Sequence, residues 1–183
     1  MSSNAARPDR SAFTGLASLV AATTMLLAAL TSAYIVRRGL AGDWMPVQLP
    51  AALPSSVLVF ILSSLVLEIG RRRFNVHRAF TGMWFSGAAL GVVFIGMQAY
   101  TWSQISQSSV SAAGSPAAAF LYVLTGTFVV FVIGAVAALF RAGACAGRGN
   151  REASSTRLTL AAYYWHYLDA FWIYLLVLFY LRS

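Results

Sequence analysis

Apolar residues fill five long blocks of this chain, about 12–36, 52–70, 80–103, 117–140 and 161–181. Each holds roughly the 20 apolar residues that a helix needs to cross a hydrocarbon core. The linkers are short and rich in turn formers: "GLAGDWMPVQLPAALP" follows the first block and "SQISQSSVSAAGSP" the third. Pro54 and Pro116 suit the first turn of the helices they open, where a missing N–H loses no helical partner. The pattern predicts an all-α membrane protein: five transmembrane helices in a single membrane domain, 1–183, with no soluble domain and no low-complexity tail.

Composition supports this reading and charge orients it. Of 183 residues, 59% are hydrophobic and 10% charged, against roughly 25% charged in a soluble domain. The polar start "MSSNAARPDRSAF" leads straight into a long apolar run, so no cleaved signal peptide is expected and the first helix is kept. All 13 basic residues are arginine. With the N-terminus inside, Arg7, Arg10, Arg71, Arg72, Arg73, Arg78, Arg141, Arg148, Arg151 and Arg157 lie on the inner side, and only Arg37, Arg38 and Arg182 on the outer. Ten against three places the N-terminus in the cytoplasm and the C-terminus outside. The net charge of +8 is then a topology signal and a contact for anionic lipid, not a nucleic-acid footprint. The single cysteine, Cys145, allows neither an internal disulfide nor a thiolate cluster.

Within the spans, Gly82, Gly87, Gly91 and Gly96 of the third helix, with Gly134 and Ala138 of the fourth, read as packing faces. Trp44, Trp84, Trp102, Trp165, Tyr163 and Tyr164 are expected as anchors near the membrane interfaces. Ionisable residues in a span cost about 2.5–3.5 kcal/mol and need partners. Glu68 has Arg71 and Arg72 at i+3 and i+4, which predicts an interfacial ion pair; with Ser63 and Ser64 it could instead line a polar inlet. His166 and Asp169, one turn apart within the last span, read as an internal polar clamp, with Gln98, Tyr100 and Thr101 as its expected neighbours. They do not make a haem or metal site: the only other histidine, His77, stands in a charged loop, and catalytic zinc takes about three protein ligands. No catalytic residue, cofactor or metal is expected in this chain.

"YYWHYLDAFWIYLLVLFYL" resembles the last helix of subunit III of the haem-copper oxidases, whose signature is Tyr-Trp-His-aromatic-aliphatic-Asp-x-x-Trp. Tyr164, Trp165, His166, Tyr167, Leu168, Asp169 and Trp172 match it in register. "LGVVFIGMQAYTW" is similar to a second motif of that family through Leu90, Gly91, Phe94, Gln98 and Trp102. "SSLVLEIGRRRF" and "ALTSAYIVRRG" resemble its serine segment running into a basic loop and the first helix of its short, five-helix bacterial form. The chain departs from the family at four polar positions: Thr23 and Thr101 stand at glutamates, Phe128 and Phe131 at histidines. A proton-collecting role attached to the first of those glutamates therefore lacks its carboxylate here.

The resemblance implies a non-catalytic, multi-pass subunit of the bacterial inner membrane. Its implied partners are catalytic subunit I of an oxidase, which would carry the haem and copper, then subunit II and other small subunits, and membrane phospholipid. It also implies a lipid cleft between helices 1 and 2 on one side and helices 3 to 5 on the other, with Glu68, Arg71, Arg72, Arg73 and Arg78 near the headgroups. A nitric oxide reductase or quinol oxidase would use the same subunit fold. An independent transporter is disfavoured by the absence of an inverted repeat and of broken helices.

Overall fold

The computed structural model describes residues 8–40, 42, 49–74, 77–107, 115–146 and 151–182. Five helices follow one another: α1 (Pro8–Leu40), α2 (Ala52–Arg72), α3 (His77–Gln107), α4 (Pro116–Cys145) and α5 (Arg151–Arg182). Pro116 opens α4 behind an extended Ser115, and Pro54 lies in the first turn of α2. Four helices are long and apolar enough to cross a membrane: α1 over Ser11–Leu40, α2 throughout, α3 over Phe80–Gln107 and α4 throughout. α5 is as long, but tyrosines, tryptophans, His166 and Asp169 stand where the others carry aliphatic residues.

α5 also starts ten residues before the expected 161, because "REASSTRLTL" is itself helical and carries Glu152 in its first turn, where the helix dipole favours an acid. Asp169 is therefore eighteen residues from the start of its helix, about 27 Å along the axis.

The core is aromatic and draws on four helices. Phe60 (α2), Phe94 (α3), Phe128 (α4) and Trp165 and Trp172 (α5) are all fully buried. Phe60 meets Phe94 at 4.5 Å and Trp165 at 4.8 Å between ring centroids. Phe128 stacks on Trp172 at 5.0 Å and 23°, and Phe94 meets the same indole edge-on at 5.3 Å. Offset and edge-on pairs of this kind are the favoured aromatic geometries.

α2 and α3 approach most closely. A Cβ added at Gly87 would lie 2.6 Å from Leu67 Cγ, and Ser63 Oγ donates to the Gly87 carbonyl at 2.8 Å. A Cβ at Gly91 would fall 2.5 Å from the Trp165 ring. Of the expected packing glycines these two carry the close contacts; Gly82, Gly96 and Gly134 face open space.

The expected separation of helices 1 and 2 from helices 3 to 5 is not found. α2 packs along α3 and against α5, while α1 touches α4 and α5 and, among the described residues, never α2. The glycine at position 87 and the hydroxyl at 63 explain why α2 belongs to the main bundle. α1 is held by longer side chains: Tyr34 lies edge-on to Phe120 and Phe179, Thr23 bonds Tyr164, and Thr24 bonds Tyr167.

Three expected interface anchors, Trp84, Trp165 and Tyr164, are also corrected. Trp84 and Trp165 have no exposed surface. Trp84 Nε1 donates to the Leu139 carbonyl at 2.9 Å, so its polar end is satisfied by α4 and not by headgroups. Tyr164 is buried as well, whereas Tyr163 is half-exposed and Trp102 hydrogen-bonds Thr125. Trp44 lies outside the described residues.

Candidate functional site

The α2–α5 seam brings together ionisable side chains of both helices, Glu68 and Arg71 from α2 with Tyr163, His166 and Asp169 from α5. On α2, Ser64 and Glu68 are one turn apart, followed by Arg71; on α5 the order is Asp169, His166, Tyr163. Three cross-helix pairs result. Arg71 sits over the Tyr163 ring at 5.8 Å. His166 Nε2 stands 3.7 Å from Glu68 Oε2. Ser64 and His166 are the polar side chains that face Asp169.

Glu68 is the hub at the Arg71 end of the seam. Arg71 binds it with two parallel bonds, Nε to Oε2 at 2.8 Å and an Nη to Oε1 at 2.7 Å, and Arg72 Nε adds a third at 2.7 Å. The fork of a guanidinium matches a carboxylate in this way, and the i+3 and i+4 spacing supplies both arginines from the same helix. Arg73 caps α2 and is exposed; Arg78 lies outside the residues whose side chains are described.

Asp169 is differently placed. Only 9% of it is exposed, and its Oδ1 is buried without a hydrogen-bond partner, as is Ser64 Oγ opposite. His166 and Asp169 share a face of α5 but do not bond each other: the imidazole leans across the seam toward Glu68. The expected α3 neighbours of Asp169 are engaged elsewhere. Gln98 Nε2 donates to Ser56 Oγ, Thr101 bonds the Met97 carbonyl one turn back, and Tyr100 is exposed.

The motif residues meet at a second polar centre. Ser56 of α2 receives Trp172 Nε1 at 3.0 Å and Gln98 Nε2 at 3.4 Å, joining α5 and α3 through one hydroxyl deep in the core. Ser56 was not singled out by the sequence; its only signal is a serine in the apolar first half of a span.

A groove of about 510 Å³ runs between α1, α4 and α5. Its walls are small or aliphatic, including Gly15, Leu19, Ala138 and Leu160, and Arg141 and Arg157 line it as well. From sequence these two arginines counted only toward orientation. Both are exposed. Among the described residues, no group of three His, Cys, Asp or Glu side chains could hold a metal ion.

No protein-family model matches the chain. It is 27% identical over 177 residues to the cytochrome c oxidase subunit 3 of Thermostichus vulcanus, covering 92% of this chain and 86% of that protein. To the protein of the same name from Synechocystis sp. it is 30% identical over 186 residues, covering 95% and 76% respectively. Both alignments cover nearly the whole chain. The chain belongs to the cytochrome c oxidase subunit 3 family.

Proposed function

We propose that this chain is a non-catalytic accessory subunit of a haem-copper terminal oxidase, serving aerobic electron transport from cytochrome c to oxygen. In this reading it packs on the catalytic subunit, stabilises it and binds phospholipid. The near full-length alignment with two proteins named cytochrome c oxidase subunit 3 carries the reading. All five helices cross a bacterial plasma membrane, with the N-terminus in the cytoplasm. α5 is long enough, at about 48 Å for 32 residues, and lies against α2, α4 and α1. The arginine asymmetry supports the orientation.

The groove supports lipid binding. It offers an apolar trough, with Arg141 and Arg157 as phosphate partners on the basic, inner side. Arg71 and Arg72, by contrast, already share Glu68.

The experiment is a mild-detergent purification through a tag on this chain, with a visible spectrum and subunit identification. Haem bands and oxidase chains co-purifying in stoichiometric amounts are expected; a colourless chain without oxidase partners would overturn the assignment. The lipid part is read from phospholipid retained by R141Q/R157Q, expected to fall relative to wild type, and fails if retention is unchanged.

A further inference from the structure

The outward faces of α1 to α4 are largely aliphatic or small, with Met25, Leu58, Val92 and Val130 among their most exposed side chains. α5 differs. Its exposed strip between α1 and α2 carries Tyr163, Ala170, Tyr174 and Val177, seven, four and three residues apart, so that they lie on one face of the helix. Among the described residues α1 and α2 do not touch, and they border this strip as two walls: Tyr167 bonds Thr24 of α1 on one side, and Tyr163 underlies Arg71 of α2 on the other. The result is a trough, floored at its middle by the small side chain of Ala170 and lined by aromatic rings.

Hydrocarbon tails are a poor occupant for it. The Tyr174 side chain is 46% exposed, its ring touches Phe171, and its hydroxyl meets no acceptor among the described residues. It stands about two turns inside the outer end of its helix, and a hydrocarbon tail beside it would offer no acceptor. At the inner end, one carboxylate, Glu68, serves two guanidinium groups, which leaves an excess positive charge, and Arg72 is 76% exposed there.

We propose that this trough is the docking surface for a transmembrane helix of another subunit, one that presents a hydrogen-bond acceptor at the depth of Tyr174 and an acidic side chain at its cytoplasmic end. The inference rests on the accessory-subunit reading and adds the face through which it is exercised. The two-helix border fixes the direction of approach, Ala170 allows the partner backbone to come near, and the cluster at Glu68 supplies the complementary charge.

The test uses the assembled, membrane-extracted complex. A photoactivatable phenylalanine analogue is placed at Tyr174, and at Val130 of α4 as a control. The expected result is a crosslink from position 174 to a different polypeptide, with position 130 labelling lipid only. Loss of the subunit from the complex with the probe at 174, but not at 130, supports the same face. Retention with lipid labelling alone at 174, or a crosslink to a second copy of this chain, overturns it. Y174F, which removes only the hydroxyl, should lower retention under detergent challenge about threefold, as expected for one interhelical hydrogen bond in a membrane; unchanged retention counts against the acceptor. If no oxidase chain co-purifies with wild type, the accessory-subunit reading fails instead, and the two failures are distinct.

Discussion

Gly91 is where a single methyl group tests the packing of the bundle most directly. The added Cβ of Gly91→Ala would lie 2.5 Å from Trp165 Cη2, 3.1 Å from its Cζ2 and 3.0 Å from Val136 Cγ2. None of these can retreat cheaply. Trp165 is fully buried with its ring edge-on to Phe60 at 4.8 Å, so a swing of the indole transmits to the aromatic core. Overpacking of this kind costs about 1–3 kcal/mol, and a rigid fused ring puts the case in the upper half of that range. Alanine recovers about 1 kcal/mol of helix propensity over glycine, which leaves a net loss of about 1–2 kcal/mol, or roughly a 5- to 30-fold drop in the folded-to-unfolded ratio. Gly96→Ala, five residues on in the same helix, meets nothing within 4 Å and keeps the propensity gain alone. Unfolding in mixed detergent micelles, followed by tryptophan fluorescence, should therefore move the midpoint down for Gly91→Ala and leave it level or raised for Gly96→Ala. Equal midpoints for the two variants would refute the close approach of α3 and α5.

Three further outcomes follow from the described contacts. Ser56→Ala leaves the Trp172 and Gln98 donors without their shared acceptor and should cost about 1–3 kcal/mol in the same unfolding assay, whereas Ser55→Ala, which loses only a bond to the Ala52 carbonyl, should be near neutral. Tyr34→Ala removes the edge-on contacts of α1 with Phe120 and Phe179, and limited proteolysis should then release α1 before any other helix. Asp169→Ala should lower the fraction of subunit retained in the complex, with turnover per remaining complex unchanged, and Asp169→Asn should be much milder; loss of turnover with the subunit fully bound would instead give the residue a part in proton handling.

The helices were legible because a span announces itself through an uninterrupted apolar block, and the motif on α5 is specific enough to place the family. Boundaries were less so. "REASSTRLTL" has helix-forming residues but no apolar run, so a search for spans stops at 161 while the backbone continues helical from Arg151. Glu68 with Arg71 and Arg72 could be read from spacing alone, since all three lie on one helix. The reach of His166 to Glu68, the burial of Asp169 against Ser64 and the role of Ser56 depend on which helices are neighbours, and periodicity within a helix carries no information on that. For the same reason Trp84 and Trp165 were placed at interfaces: an amphipathic ring near a span's end looks the same in sequence whether it points to headgroups or into the bundle.

Three of the four positions at which the resemblance implies polar residues can be weighed by where they fall. Phe128 does not leave a gap: it is fully buried in the core, stacked on Trp172 and edge-on to Phe60 and Phe94. Thr23 spends its hydroxyl on Tyr164 and on its own helix at Leu19, tying α1 to α5 where a carboxylate would need a cationic partner that the described neighbourhood of α4 and α5 does not bring to that level. Thr101 bonds back to Met97. Thr23 and Thr101 satisfy their hydroxyls locally and Phe128 packs among rings of α2, α3 and α5, so none of the three adds a charge to the bundle. The seam holds Glu68, His166 and Asp169, bordered by Arg71 and opening at Arg72 toward the C-terminal end of α2. Ionisable side chains are retained inside a membrane domain only where an opposing helix offsets their cost. Here that helix is α2, which also walls the tyrosine trough, so the polar seam and the docking face share one support, and a change that shifts α2 against α5 should disturb both together.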